Sequence, residues 1–282
     1  MRLDRRSLFL AATAMAASGG TASAAEHDTK PFKAIAKGTH PTARNIRGKI
    51  IYVGDEKQER GREWFSYSYR KDGQITLRAH SEMDDIQVER DVTLTMDSKF
   101  RPLDCFVRLS VGGKFLGTGL IRVTDTEAEC DVYNTTFGHV HQTVKLASPA
   151  VTMGAHPLAN DALQLARYDH SNPQKIQKST ALSLSSSPLL DGASGPMIGV
   201  TSGMAIEYVG PEKITTPAGT FDAHHYRFPV EGGGTPHPSG NARSEDIWCT
   251  HPNLVFVRAE VRGYLRNKTG YGSYELVEFS EG

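Results

Sequence analysis

The chain has 282 residues, with 32 basic and 32 acidic side chains and 11 histidines. This balance offers no electrostatic footprint for nucleic acid or anionic lipid. Beyond the N-terminus, no apolar run approaches the roughly 18 residues of a membrane span, and three cysteines do not make a disulfide framework.

Residues 1–24, MRLDRRSLFLAATAMAASGGTASA, read as an export signal. Arg5-Arg6 opens it, Leu8–Ala17 is apolar, and Ala22-Ser23-Ala24 forms a small-residue cleavage site. The arginine pair followed by Ser7-Leu8-Phe9-Leu10 points to twin-arginine export and a periplasmic protein. The remaining 258 residues carry 29 basic and 31 acidic groups and suffice for one large core. Residues 25–45 are polar and rich in lysine and proline, which suits a mobile lead-in to a single domain over 46–282.

From there the dominant signal is period two. ITLRAHSEM sends Ile75, Leu77, Ala79, Ser81 and Met83 one way and Thr76, Arg78, His80 and Glu82 the other. DIQVERDVTLTMD repeats the pattern through Ile86, Val88, Val92, Leu94 and Met96, and LDCFVRLSV through Leu103, Cys105, Val107, Leu109 and Val111. Turn residues separate the runs at Lys71-Asp72-Gly73, Asp97-Ser98 and Gly112-Gly113, as in antiparallel hairpins. The pattern predicts an all-β domain of about twelve strands, a large antiparallel barrel or strongly curved sheet with one inserted helix. In such a meander a strand separates Cys105 from Cys130 by about 10 Å, beyond the reach of a disulfide. At most one bridge can form, with Cys249 as an available partner.

AHPLANDALQLARYDH breaks the rhythm, with Leu158, Ala162, Leu165 and Ala166 at helical spacing and Pro157 suited to a first turn. A Ser/Gly/Pro-rich loop follows, so that helix and long loop occupy 156–202. They are expected either to close the mouth of the barrel or to pack outside it.

The second β half contains the hairpin TTPAGTFDAHHYRF, then a tryptophan-bearing strand and a closing YELVEFS. These segments resemble a family of exported bacterial β-barrel proteins of unknown function that carry a Pro-Ala-Gly-Thr-Phe-Asp hairpin. The resemblance implies a lipocalin-like or lipoprotein-carrier-like barrel with an apolar ligand space. It assigns no role to His224 or His225.

FGHVHQTVKL holds the most distinctive candidate groups. On a strand, His139, His141 and Thr143 share one side, while Val140 and Val144 share the other. The plain account is an ordinary solvated face. Three features favour chemistry: Phe137 on the histidine side, His156 at the helix entry with Asp161 a turn later, and His225 beside Tyr226 on the hairpin. A barrel interior can bring such residues to one wall.

His-x-His on a strand is a possible metal geometry, but the glutamate of a cupin-type pattern is missing after His141. No serine-nucleophile elbow, zinc-protease helix or phosphate-cradling loop appears. What remains is cofactor-free proton transfer by imidazole.

The sequence therefore predicts an exported barrel enclosing a small hydrophobic or aromatic molecule, with lyase- or isomerase-type chemistry. His139 and His141 are the acid–base pair; His156, Asp161, Tyr168, His225 and Tyr226 line the pocket; no cofactor is needed. The alternative is a non-catalytic periplasmic carrier of lipid or lipoprotein acyl chains. A third reading, an envelope assembly or interaction protein, requires an interior filled with side chains.

Overall fold

The computed structural model describes residues 42–202, 204–229, 244–263, 265 and 269–282. The export signal and all of the lead-in before Thr42 lie outside the described residues.

Eight strands follow one another as an antiparallel meander: β1 (Thr42–Val53), β2 (Glu59–Arg70), β3 (Ile75–Met83), β4 (Val88–Met96), β5 (Pro102–Val111), β6 (Lys114–Val123), β7 (Glu127–Asn134) and β8 (Gly138–Lys145). The alternation read from the sequence sets their faces. Leu77, Leu94, Cys105, Ile121 and Cys130 form one fully buried row across β3 to β7. Ile86 is the exception, exposed in the turn before β4. Gly112 and Gly113 both take positive φ, 62° and 69°, which a two-residue hairpin turn demands and a side chain would resist.

The next segment holds β9 (Thr152–Gly154), a short helix α1 (Leu158–Leu163), a 3-10 turn (Gln164–Arg167), β10 (Ile176–Lys178), β11 (Ser183–Ser185) and β12 (Gly199–Thr201). The α-helix is shorter than its sequence pattern: it tightens into the 3-10 turn at Gln164, and the backbone is extended by Tyr168. The chain then returns through β13 (Ala205–Thr216), β14 (Gly219–Pro229), β15 (Ser244–Thr250), β16 (Phe256–Arg262) and β17 (Gly272–Glu281). The described strands thus exceed the twelve expected.

One sheet takes fourteen strands in the order β10-β13-β14-β15-β16-β17-β1-β2-β3-β4-β5-β6-β7-β8; a small second sheet joins β12, β11 and β9. The large sheet is flat and open, which corrects the expected barrel or strongly curved sheet, and with it the lipocalin-like description. Its edges, β8 and β10, do not pair. On β8, Gln142 instead trades two hydrogen bonds with Ile198 of the inserted segment, donating at 3.0 Å and accepting at 2.9 Å.

The inserted segment covers the inner face of the sheet. Ala155, Ala159, Leu163, Leu184 and Ile198 join the same core as Ile46, Tyr67, Val92 and Val132. Gly119 makes one close approach possible, since a Cβ there would lie 3.1 Å from Pro196. Polar staples complete the contact. The buried Arg90 guanidinium donates to the carbonyls of Ala155 (3.0 Å) and Gly192 (2.8 Å) and to Ser186 Oγ (2.7 Å). Tyr67 Oη donates to the Ala159 carbonyl at 2.8 Å. All three cysteines are free and buried. Cys105 and Cys130 pair with the same Ile121 of β6 from either side, so a strand separates them as expected.

Candidate functional site

Apart from Tyr168 and Tyr226, the sequence-predicted residues do not converge. His139 and His141 lie on the outer side of edge strand β8, both exposed. His141 shares a 2.9 Å hydrogen bond with Asp131 through Nδ1 and one of 3.1 Å with Thr143 through Nε2. His156 packs inside the inserted segment, 2.9 Å from Ser185 Oγ. Burial and then the Arg90 charge push its imidazole down to about 3, so it stays neutral at ordinary pH. Asp161 sits on α1, its carboxyl driven well upward by burial and by the charges of Glu245 and Glu63.

Tyr168 and Tyr226 do meet, with ring centroids 5.7 Å apart, in a cluster with His170, Tyr208, His224 and His251. His225 is elsewhere, stacked on Trp248 at 4.2 Å and bonded to Asp246 at 2.8 Å. Burial alone would raise the Asp246 carboxyl, but His225 and Arg227 bring it below the ordinary range.

This arrangement overturns the predicted function. The imidazoles of β8 look away from the core, and the inner face is occupied by the protein's own inserted segment. An enclosing barrel with histidine acid–base chemistry and the acyl-chain carrier both need a hollow that the open sheet does not form. Among the described residues, no group of three or more His, Cys, Asp and Glu is placed to hold a metal ion.

The outer face carries the more coherent site. Register places Lys49, Trp64, His80, Asp91, Arg108, Thr118, Tyr133 and His139 as successive cross-strand partners from β1 to β8. The parallel row is Arg47, Ser66, Arg78, Thr93, Phe106, Leu120, Asp131 and His141. Both predicted histidines therefore end rows whose other members the sequence reading did not single out. Trp64, Phe106, Leu120 and Tyr133 are all exposed on this face.

Between the rows lies a groove of about 500 Å³ lined by Arg47, Trp64, Ser66, Arg78, His80 and Phe106 among others. Ser66 and Thr93 are the small residues that leave it open. Trp64 forms one side, stacked on His80 at 5.7 Å and covered by Lys49 Nζ at 5.3 Å. His80 bonds Asp91 at 2.7 Å and Glu82 at 3.2 Å. Burial would lower this imidazole, but the two carboxylates outweigh it and raise it above its ordinary value.

Asp91 also faces Arg108 at 3.7 Å, and Asp131 is held by Arg122 at 2.8 Å. Arg47 and Arg78 are different: both are exposed, and neither has a carboxylate partner among the described residues. Arg78 reaches only Ser68 Oγ, at 3.4 Å. The readable signal for this site is Phe106, an aromatic on the polar phase of LDCFVRLSV.

No protein-family model and no curated protein matches the chain. Among solved structures, a β-barrel-like protein of a domain of unknown function from Brucella abortus is similar at a TM-score of 0.52 and 9% identity, over 86% of this chain and 98% of that one. At that identity the likeness shows fold alone. A proposed lipoprotein from Parabacteroides distasonis and a proposed exported protein with a YmcC-like fold from Bacteroides fragilis match at TM-scores of 0.31 and 0.30, with 12% and 11% identity, each over 85% of this chain and 97% of the other. The Brucella abortus likeness reaches a mostly-β fold and not a specific hairpin-bearing barrel family.

Proposed function

We propose that this protein is a docking module, exported by its N-terminal leader, that holds an acidic partner segment carrying an aromatic side chain on the outer face of its sheet. The observation behind this reading is the row Arg47–Ser66–Arg78–Thr93–Phe106, with two guanidinium groups lacking carboxylate partners among the described residues and an apolar end. Arg47 and Arg78 stand two strands apart, about 10 Å, a separation that successive acidic side chains of an extended segment can bridge. Trp64 and Phe106 offer rigid apolar surface, and arginine with aromatic residues is the composition that concentrates binding energy at interfaces. The filled inner face agrees with an interaction protein, which needs no internal cavity.

The test uses a synthetic acidic hexapeptide with a central phenylalanine, titrated by fluorescence polarisation. Binding should weaken with added salt and fall about tenfold or more in Arg47→Glu/Arg78→Glu and in Trp64→Ala. No binding at low salt, equal binding of a lysine-substituted peptide, or indifference to the double reversal would remove the reading. A dimer in sedimentation that Trp64→Ala dissociates would assign this face to a second copy instead.

A further inference from the structure

Another arginine sets up a different kind of site, far from the outer groove in sequence. Arg167 ends the 3-10 turn after α1. Its Nη1 donates to Ser183 Oγ at 3.2 Å and its Nη2 meets the Met204 sulfur at 3.8 Å. The guanidinium lies 5.7 Å from the Phe228 ring centroid, and its Nε is buried without any acceptor. A hydroxyl, a thioether and a ring face do not neutralise a cation, and no carboxylate among the described residues pairs with it. Burial alone lowers this guanidinium to about 10.

Arg90 shows what a purely structural arginine does here. It is fully buried where Arg167 is half-buried, and its donors are spent on two carbonyls and a serine, which fasten the inserted segment. Arg167 instead lines a pocket of about 230 Å³ together with Tyr168, Asn172, Gln174, Lys178 and Ser179.

Two other residues of that pocket, Asn172 and Ser179, have donors to spare. Asn172 uses its Oδ1 to accept from the Gln174 backbone at 3.0 Å, which leaves its amide N–H groups unspent. Ser179 Oγ accepts from the Ala181 backbone at 3.1 Å, which leaves its hydroxyl proton. A desolvated cation costs free energy until a counter-charge reaches it. A concave site with one such cation and uncommitted N–H and O–H donors has the chemistry of an oxyanion receptor.

We infer that the pocket at Arg167 binds a small oxyanion, a carboxylate or a phosphate, whose oxygens supply the missing counter-charge to the guanidinium and accept from Asn172 and Ser179. This is independent of the outer groove. Tyr168, singled out in the sequence as a binding residue, becomes a wall of this site.

Isothermal titration with inorganic phosphate, and separately with succinate, tests the inference and distinguishes the two anion classes; chloride is the control. One of the two should bind saturably. Arg167→Gln should weaken that binding about tenfold or more, the range of a lost charge-assisted hydrogen bond, while Arg167→Lys retains part of it. Ser179→Asp gives a second reading if Arg167→Gln fails to fold, because a carboxylate on the wall should exclude the anion. The Arg47→Glu/Arg78→Glu protein should bind the anion as wild type does. Absence of binding by both anions, or binding that survives Arg167→Gln or Ser179→Asp, overturns the inference and leaves Arg167 as a packing residue.

Discussion

The carboxylate of Glu63, on the inner face of β2, accepts the backbone N–H of Leu158 at 2.7 Å, and that of Ala159 at 3.0 Å. A sheet residue thereby supplies the helix cap that Pro157, with no side-chain hydrogen bond to offer, does not. Tyr52 Oη and Ser81 Oγ donate to the same carboxylate at 2.7 and 3.1 Å. Its four donors thus tie α1 to the sheet. Glu63→Ala should cost about 2–4 kcal/mol, since it strips buried donors of a charged acceptor. Urea unfolding measures it, and a loss under about 0.5 kcal/mol would mean that the cap is incidental.

Arg90 holds the other end of the inserted segment. Arg90→Met keeps bulk but abandons the carbonyls of Ala155 and Gly192. We expect a loss of about 2–3 kcal/mol and faster amide exchange at Ser185–Ser187 and in α1, with β2–β6 still protected. Uniformly faster exchange across the sheet would contradict the staple role.

Asp161 predicts a pH effect of definite sign. Burial first, then the charges of Glu245 and Glu63, raise its carboxyl above the unfolded value. The stability linked to its proton is complete below the unfolded pKa and is lost as pH rises through the folded one. Asp161→Asn should therefore match wild type in acid and exceed it at pH 8, by on the order of 1 kcal/mol. Thermal melts across that range check the prediction, and a less stable variant at pH 8 would reverse it.

His80 has a raised imidazole between Asp91 and Glu82, although burial opposes it. Its contribution is present in full below the ordinary histidine value, near 6.5, and fades as pH climbs through the folded value. An NMR titration should find the His80 midpoint above that of a free histidine, and Asp91→Asn should bring it down.

The thiols offer a simpler check. Burial pushes Cys105 and Cys130 up to about 12 and Cys249 higher still. A thiol reagent should label none of the three in the folded protein and all three in denaturant.

Much of the local architecture was legible. Alternation in ITLRAHSEM placed Leu77 inward and Arg78 outward, and in HVHQTVK it set His139 and His141 opposite Val140, as the structure has them. The candidate site was legible only in part. His139 and His141 share one face of β8 as read, but that face looks outward and not into a hollow, and their cross-strand rows through Arg47, Arg78 and Trp64 depend on registers between strands. The Tyr168–Tyr226 contact joins residues 58 positions apart and leaves no mark in either segment.

The sequence by itself determined the β class, the hairpin turns, the position of the short helix and the two faces of each strand, because these depend on neighbours within a few residues. Only the tertiary structure decided that the sheet stays open, that Glu63 and Arg90 point inward to meet the inserted segment, and that Arg167 is left with an unspent charge. Those outcomes depend on pairings between residues tens of positions apart, and the free energy of a buried polar group depends on the partner it finds there.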